Sequence, residues 1–358
     1  MAKVMDLTAK LSQSTVVERV GEIDWADISV SPFVIELDPT AVCDLACPGC
    51  ISEDLIQVGN SFSNERLLSL GQEMIDFGVK AVILIGGGEP LAHPKAGELI
   101  QLLGSNDVHI GITTNGTFID KWIDEIAEYS HWTRVSMDAS SSELFRVNRP
   151  SRGGKSKFNK IVENMHLLAE RKKGKLGYSF LIQTRADGNG VVSNIHEIYA
   201  AAQLARDIGC DYFEVKPSYQ FREGIDHALM KHSIEDTEAA REEIAKLDEL
   251  EGDSFKVMKA INLEHSFNKA YGIDQIQDKE YKRCPAAYLR TTVTPGGIYV
   301  CPYWRGKEHM KVGDVVKDSF SQVWNSEQRK RVMDRLDPSV DCTFHCLRDR
   351  SNLGVFDI

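Results

Sequence analysis

Seven of the eight cysteines fall into two groups whose spacing suits a metal centre. Cys43, Cys47 and Cys50 form the first group, in the pattern CxxxCxxC. Soft thiolate sulfur selects zinc or an iron–sulfur cluster, and three thiolates on one short loop can reach the same cluster. A 4Fe–4S cluster that is held by three thiolates keeps one iron open for a substrate or a cofactor. This group therefore indicates a metal centre that takes part in chemistry.

The second group lies near the end of the chain and consists of Cys284, Cys301, Cys342 and Cys346. Four thiolates suffice for one 4Fe–4S cluster or for one structural zinc ion, and the residues alone leave both readings open. His345 lies between two of these cysteines. Because four thiolates are present, we expect His345 to pack or hydrogen-bond nearby rather than to be a ligand.

Six short apolar runs alternate with amphipathic segments between residues 33 and 216. This alternation is typical of repeated β/α units around a parallel sheet. We therefore predict an α/β fold, with a partial (β/α)6 TIM-like barrel followed by a small C-terminal domain that is held by metal. The predicted strands are 33–38, 81–85, 109–113, 133–137, 177–183 and 212–216, and the predicted covering helices include 64–77, 158–171 and 193–208.

Four segments follow from this pattern. Residues 1–31 are predicted to be a helical extension and residues 32–232 the barrel. Residues 233–280 are predicted to be a helical connector, and residues 281–358 the C-terminal metal-binding domain.

Charged residues alternate with apolar ones along three of the predicted strands, so that one face of each strand is polar. A parallel sheet that is buried on both sides usually consists of continuous Val, Ile and Leu. The polar faces therefore predict that the barrel interior is a polar, ligand-filled cavity, with an exposed edge strand as the alternative for any one strand. These faces carry Glu36 and Asp38, then Arg134, Ser136 and Asp138, then Glu214 and Lys216.

Composition and charge narrow the class of protein. The chain has 358 residues, 27% of them charged, and a formal charge of -11 that repels phosphate backbones and anionic lipid. The longest strongly apolar run, 81–85, is too short to span a membrane, and residues 1–30 contain no signal-peptide stretch. We therefore expect a cytoplasmic protein with no nucleic-acid or membrane partner. Its thiols should be reduced, and Cys210 should be a buried structural thiol.

The chain resembles the radical S-adenosylmethionine (SAM) superfamily in two motifs and in the place of each motif along the predicted barrel. CxxxCxxC follows the first predicted strand, and Gly87, Gly88, Glu89 and Pro90 end the second. The resemblance implies that the cysteines hold a 4Fe–4S cluster and that the glycine motif binds the methionyl amino group of SAM. Glycines let backbone carbonyls approach a ligand that a side chain would block.

The resemblance implies further cofactor contacts at the next two strand ends. Asn115 ends the third strand, and Ser136 and Asp138 end the fourth. In the superfamily these positions hold the ribose and the methionyl carboxylate, together with a following arginine. Arg149 is the candidate for that arginine, with Arg146 as the other choice. Gly49 stands where relatives carry an aromatic residue, so the adenine must pack elsewhere.

The second cysteine group resembles the C-terminal extension called SPASM, in its shortened "twitch" form with four cysteines. This implies one auxiliary 4Fe–4S cluster, with a structural zinc site as the competing reading. The implied cofactors are therefore SAM and two 4Fe–4S clusters. An external one-electron reductant of the flavodoxin or ferredoxin type is the implied partner.

In the superfamily, a reduced cluster cleaves SAM to methionine and a 5'-deoxyadenosyl radical, which abstracts hydrogen from the substrate. We expect a radical SAM oxidoreductase, a dehydrogenase before an epimerase or a lyase, that acts on a hydroxyl-rich small molecule. Sugars, aminocyclitols and nucleotide sugars are the candidate substrates, because related twitch enzymes oxidise aminocyclitols and because three strands carry polar faces. Lys216, Glu214, Gln183 and Arg185 are the predicted substrate contacts or bases.

Two alternatives belong to other classes. The enzyme could modify a peptide or protein, by a crosslink or an oxidation. Only 31 residues precede the predicted barrel, too few for the winged-helix leader-peptide domain of many peptide-modifying relatives, and this favours the small molecule. The chain could also be an electron carrier or a zinc-stabilised binding protein, which would not bind SAM.

Overall fold

The computed structural model describes residues 3–5, 14–23, 30–187, 190–222, 225–229, 233–260, 263, 279–344 and 346–356. Their strands are β1 Lys3–Met5, β2 Val34–Leu37, β3 Ala81–Leu84, β4 His109–Thr114, β5 Ser130–Ser136, β6 Lys175–Ile182, β7 Thr184–Asp187, β8 Gly190–Ser193, β9 Tyr212–Pro217, β10 Tyr219–Arg222, β11 Ile225–Leu229, β12 Lys256–Ala260, β13 Arg290–Thr294, β14 Gly297–Tyr299 and β15 Lys311–Gly313.

Helices cover the sheet and connect its strands. They are α1 Ser14–Gly21, α2 Glu53–Val58, α3 Asn64–Asp76, α4 Ala96–Gly104, α5 Ile123–Tyr129, α6 Ser142–Asn148, α7 Phe158–Arg171, α8 Ile198–Ile208, α9 Ile234–Lys246, α10 Pro285–Leu289, α11 Phe320–Trp324, α12 Glu327–Arg335, α13 Pro338–Asp341 and α14 Asp349–Phe356. None of these described helices is long and apolar enough to cross a bilayer.

One sheet runs through the described part of the chain, in the order β1-β12-β9-β6-β5-β4-β3-β2-β13-β14-β15. The pairs from β1 to β13 are parallel, and β14 and β15 add antiparallel strands at one edge. All six predicted strands occur, and they are the contiguous run from β9 to β2. The predicted α/β fold with a partial barrel is confirmed.

The covering helices form on amphipathic segments, and some of them begin at a capping serine. In α3 the buried residues Leu67, Leu70 and Met74 recur every three or four positions, so they lie on one face. Ser63 caps this helix, since its hydroxyl accepts a hydrogen bond from the Arg66 N–H at 3.1 Å. Serines cap α6 and α9 in the same way, whereas α4, α5, α7 and α8 begin with no side-chain cap.

The two faces of the parallel sheet differ in character. On the helix-covered face, side chains such as Leu37, Ile112 and Phe213 are fully buried and form the apolar core. The opposite face carries the charged residues, among them Glu36 and Glu214, which are 3% and 1% exposed. Because buried carboxylates need counter-charges, the interior must supply cations close by.

Three of the predicted segments differ from the structure in their detail. Residues 233–280 are not helical throughout, because β12 follows α9 and pairs in parallel with β9. Residues 281–358 share the main sheet, since β13 pairs in parallel with β2, and the hydrophobic core continues into them. Residues 1–31 include β1 as well as α1. The domain boundaries themselves remain a prediction.

Candidate active site

The first cysteine loop follows β2 and is held by residues from two other strand ends. The Ala46 N–H donates to the Pro150 carbonyl at 2.7 Å, and the Arg152 N–H donates to the Asp44 carbonyl at 3.0 Å. Asn115, after β4, donates from Nδ2 to Asp44 Oδ1 at 2.8 Å. Loops that follow β2, β4 and β5 therefore meet at one rim of the sheet, where β/α barrels place their active sites.

Two polar side chains of this rim reach the thiols. Asn115 Nδ2 lies 3.8 Å from Cys43 Sγ, and Arg149 Nη1 lies 4.0 Å from Cys47 Sγ. The Cys50 N–H donates to the Cys47 carbonyl at 3.2 Å, which closes the loop. The CxxxCxxC loop thus presents Cys43 and Cys47 to the residues predicted to bind the cofactor.

These thiols are held protonated by their surroundings. Burial raises the pKa of Cys43 to about 12 and also raises the pKa of Cys47, where Arg149 opposes the effect. Such sulfurs become thiolates when a metal supplies positive charge. Among the described residues, no group of three His, Cys, Asp or Glu side chains stands in coordination geometry.

The glycine turn after β3 packs backbone to backbone on the cysteine loop. A Cβ on Gly88 would lie 2.4 Å from the Val42 carbonyl oxygen, and one on Gly86 would lie 1.7 Å from the Gly88 oxygen. The Glu89 N–H donates to the same Val42 oxygen at 2.9 Å. Only glycine fits these two positions, so the turn and the loop are built as one unit.

The Glu89 side chain braces the turn from inside the protein. Its Oε1 accepts hydrogen bonds from Leu91 N at 3.1 Å and Thr114 Oγ1 at 2.6 Å, and its Oε2 accepts one from Asn115 N at 2.7 Å. Burial raises its pKa to about 7, against these hydrogen bonds. The carboxyl group therefore joins the ends of β3 and β4, and Pro90 begins a 3-10 turn directly after it.

Asp138 and Arg149 form a buried ion pair at the end of β5. Asp138 Oδ2 accepts from Arg149 Nη2 at 2.6 Å and from Nε at 2.9 Å, and its Oδ1 accepts from Leu181 N at 2.7 Å. Burial opposes the Arg149 charge, but Asp138 and Cys47 outweigh it and hold the arginine pKa above its usual value.

The backbone at Asp138 is also unusual, with a φ of 55° that L-residues rarely adopt. Its carbonyl accepts hydrogen bonds from Asn148 Nδ2 at 3.1 Å and Asn194 Nδ2 at 3.0 Å, which stabilise this conformation. The turn aims Arg149 at the cysteine loop. Ser136, also predicted as a cofactor contact, lies two residues earlier at the end of β5 and pairs across the sheet with Ser179.

Glu214 and Lys216 lie in the interior together with Arg134. Arg134 Nη1 donates to Glu214 Oε2 at 3.0 Å, and Lys216 Nζ donates to the same oxygen at 2.9 Å. Burial favours the neutral acid, but Lys216 and Arg134 hold the pKa of Glu214 at about 2. Glu214 therefore stays ionised, which makes it a poor base at neutral pH.

Gln183 and Arg185 lie elsewhere. Arg185 Nη1 donates to Gln183 Oε1 at 3.3 Å and to Asn148 Oδ1 at 2.8 Å, and its Nη2 donates to the Val147 carbonyl at 2.7 Å. The four predicted substrate contacts therefore form two separate pairs. Lys216 and Glu214 lie in the sheet interior, and Gln183 and Arg185 contact the end of α6.

The four C-terminal thiols lie close enough to influence one another. Burial, followed by Cys284, Cys346 and Cys342, raises the pKa of Cys301 well above its usual value. Asn352 Nδ2 lies 3.6 Å from Cys284 Sγ, and the Arg348 N–H lies 3.4 Å from Cys346 Sγ. Neutral N–H donors beside several thiols suit a cluster of thiolates, so this donor set fits an iron–sulfur centre.

Two other cysteine-related predictions have different outcomes. Cys210 is 4% exposed, and burial raises its pKa above the usual value, as expected for a structural thiol. His345 lies outside the described residues.

Sequence reasoning missed two arginines of the C-terminal block whose side chains lie in the barrel interior. Arg305 Nε lies 2.8 Å from Asp38 Oδ2, and Arg305 Nη1 donates to the Gly86 carbonyl at 3.4 Å. Arg290, the first residue of β13, pairs with Glu36. The signal was present in the sequence, because two buried carboxylates on β2 require cations that β2 itself does not supply.

Comparison with known families matches both cysteine regions. Residues 37–185 match the radical SAM superfamily, and residues 284–347 match SPASM, described as an iron–sulfur cluster-binding domain. These ranges contain the first three cysteines and the last four, respectively.

One curated relative is similar along most of the chain. The antilisterial bacteriocin subtilosin biosynthesis protein AlbA of Bacillus subtilis (strain 168) is 24% identical over 323 residues, which cover 89% of this chain. The match spans 65% of AlbA, slightly less than two thirds of that protein.

Two solved structures share the fold. SuiB of Streptococcus suis bound to precursor peptide SuiA has a TM-score of 0.61 at 17% identity, over 88% of this chain and 69% of that one. Native anSMEcpe with bound AdoMet and the Cp18Cys peptide has a TM-score of 0.58 at 16% identity, over 85% and 82% of the two chains.

The site's donor sets agree with these matches. Three thiols meet a backbone-lined glycine turn at one rim, and four more thiols gather in the C-terminal block. Residues 37–185 therefore form a radical SAM domain and residues 284–347 a SPASM domain, and the cofactors that these domains imply are SAM, the 4Fe–4S cluster that binds SAM and an auxiliary 4Fe–4S cluster.

Proposed function

We propose that this radical SAM enzyme modifies a peptide or protein, by oxidising a residue or forming a crosslink. The observation that carries the proposal is the similarity to a bacteriocin biosynthesis protein, which extends over 89% of the chain. Two neighbours in fold, SuiB and anSMEcpe, have structures with bound peptides, which is consistent with it.

The small-molecule substrate predicted from the sequence has less support. That prediction relied on charged strand faces that would need a polar ligand. In the structure these charges neutralise one another, with Arg134 and Lys216 on Glu214 and with Arg305 on Asp38. The polar faces therefore do not require a hydroxyl-rich ligand.

When bound to the reduced first cluster, SAM supplies a 5'-deoxyadenosyl radical that abstracts hydrogen. The residues proposed to hold it are at the rim. The backbone of Gly87 and Gly88 would hold the amino group, Arg149 and Ser136 would hold the carboxylate, and Asn115 would hold the ribose. Asp138 fixes the guanidinium of Arg149 through two hydrogen bonds, so this donor is already oriented before the cofactor binds.

Lys216 and Arg134 are proposed to bind the substrate. Their side chains are 19% and 23% exposed, while the Glu214 carboxylate between them is 1% exposed. Glu214 therefore positions both cations, and their remaining N–H groups can donate to main-chain carbonyls of a peptide. Arg134 Nε is buried and has no hydrogen-bond partner among the described residues, which is consistent with a donor that a substrate would engage.

The test compares two substrate classes on the reconstituted protein, with dithionite or a flavodoxin-type donor as reductant. The probes are synthetic peptides translated from short reading frames beside the gene, and a panel of sugars and aminocyclitols. We expect a peptide to stimulate 5'-deoxyadenosine formation and to lose two hydrogen atoms by mass spectrometry. Cys43→Ser serves as the inactive control. Turnover of an aminocyclitol or sugar, with no peptide modified, would overturn the proposal.

A further inference from the structure

A chain of four charged residues joins the barrel to the C-terminal block. It consists of the buried Glu36 on β2 and Asp38 directly after β2, and of the partly buried Arg305 and Arg290 from the C-terminal block, and we call it the ion chain. Arg305 Nε lies 2.8 Å from Asp38 Oδ2, and Arg305 Nη2 lies 4.0 Å from Glu36 Oε2. Arg290 Nη2 pairs with Glu36 Oε1. The order of contact is Asp38, Arg305, Glu36, Arg290.

Asp38 differs from the other buried carboxylates of the interior. Glu89, Asp138 and Glu214 accept hydrogen bonds on both oxygens. Neither Asp38 oxygen accepts a hydrogen bond of normal geometry from a described residue, although Arg305 is close, and the side chain is 1% exposed. A proton on Asp38 would therefore disturb only its contacts with Arg305 and the Gly87 N–H.

The surroundings of Asp38 bring its pKa close to neutral pH. Burial raises its pKa to about 6, and Arg305 and the Gly87 N–H oppose the rise. Glu36, which lies on the same face of β2, is compensated by Arg290. Of these groups Arg305 has the largest opposing effect, so the guanidinium sets how readily Asp38 takes a proton.

The other end of the ion chain responds to the C-terminal sulfurs. Burial and Arg348 lower the pKa of Arg290, and the charges of Cys301 and Cys346 act in the opposite direction. Arg305 follows Cys301 by four residues in the chain. Added negative charge on the C-terminal centre therefore acts on Arg290, in an interior where charges are weakly screened, and the ion chain continues from Arg290 through Glu36 and Arg305 to Asp38.

We infer that Asp38 takes up a proton when the auxiliary iron–sulfur centre gains an electron, and that the ion chain connects the two events. One electron from the reductant enters the centre, one proton from solvent binds a carboxylate oxygen of Asp38, and the net charge of the interior stays constant. If the proposed substrate oxidation is correct, the auxiliary centre accepts the electron that leaves the substrate, and Asp38 can accept the proton.

The test is a potentiometric titration of the reconstituted protein without substrate, followed by electron paramagnetic resonance at several pH values. The signal that remains in Cys43→Ser identifies the auxiliary centre. We expect its potential to fall as pH rises above about 6 and to be constant below that pH. In Asp38→Asn the pH dependence should vanish. In Arg305→Gln it should begin at higher pH, because removal of the cation raises the Asp38 pKa.

Asp211→Asn is the matched control, because Asp211 pairs with Lys172 at the opposite end of the strands. It should retain the wild-type pH dependence. A wild-type potential that does not change with pH, or an unchanged slope in both Asp38→Asn and Arg305→Gln, would overturn the inference. Because no substrate is present, either result leaves the proposed peptide substrate unaffected.

Discussion

Gly88→Ala is the sharpest test of the site's construction. The new Cβ would lie 2.4 Å from the Val42 carbonyl oxygen and 2.5 Å from the Ala41 carbonyl carbon. Non-bonded contacts of this kind need about 3.5 Å, so the glycine turn and the cysteine loop must separate by about 1 Å. Both contacts are backbone atoms, so no side-chain rotation relieves them. Overpacking of this kind costs about 1–3 kcal/mol.

Two measurements follow this change. Urea unfolding of the metal-free protein should show a free energy of unfolding lower by about 1–3 kcal/mol. Equilibrium dialysis of the reconstituted protein should show SAM affinity reduced by roughly tenfold or more, since 1.4 kcal/mol is a factor of ten. The affinity falls because the turn that meets the cofactor has moved away from the loop that holds the cluster.

Two controls separate this effect from a general loss of glycine. Gly153→Ala meets no atom within 4 Å and should leave stability and SAM affinity unchanged. Gly87→Ala approaches Asp38 Oδ2 at 3.2 Å, a side chain that can yield, and should have an intermediate effect on stability. If Gly88→Ala were as stable as Gly153→Ala and bound SAM equally well, the backbone-to-backbone description of the rim would be wrong.

Three other changes have defined outcomes. Glu214→Gln should lower the free energy of unfolding at pH 7 by up to about 3 kcal/mol, because Lys216 and Arg134 lose the carboxylate that compensates their charges. Because the folded pKa of about 2 lies below the unfolded value of 4.5, this difference should shrink as pH falls below about 4.5, as measured by urea titration at each pH. Arg149→Met should destabilise the fold by about 3–5 kcal/mol in the same assay, because it leaves the Asp138 carboxylate buried and unpaired. Arg146 is exposed, so Arg146→Met should leave the free energy of unfolding unchanged. Equal effects of the two substitutions would refute the pairing of Arg149 with Asp138. The wild-type protein should contain about eight irons per chain, and Cys301→Ser should contain about four, as measured by iron and sulfide analysis. Zinc bound to the purified wild-type protein in place of four of these irons would contradict the auxiliary cluster.

The strands of the barrel were predictable because each is a short apolar run between amphipathic segments. Helix ends were also readable where a serine precedes an amphipathic segment, as Ser63 precedes α3. The rim residues followed from the order of strands, since the carboxyl ends of parallel strands meet at one edge. These inferences use only local patterns and one rule of topology.

The ion chain could not be predicted in the same way. Arg305 and Asp38 are far apart in the sequence, and nothing local to either residue names the other as its partner. The pairing of β13 with β2 is likewise set by long-range packing. The sequence indicated a buried charge on β2, but only the fold shows which arginines neutralise it.

The pairing of Glu214 with two cations could not be predicted from the sequence for a related reason. A buried carboxylate on a strand suggests a base, because desolvation alone raises its pKa. The structure adds two cations within hydrogen-bonding distance, and these reverse the effect. Whether a buried acid is a base or a counter-ion therefore depends on neighbours that belong to other strands.

The pairing of β13 with β2 has a mechanical consequence. Strand β2 leads into the first cysteine loop, and strand β13 lies between Cys284 and Cys301. The two strands are hydrogen-bonded neighbours in one sheet, about 4.8 Å apart. Because these paired strands connect the two metal-binding regions directly, thermal motion cannot easily lengthen the distance between the two clusters, which an electron must cross. Heat that melts this seam should release both clusters in one cooperative event.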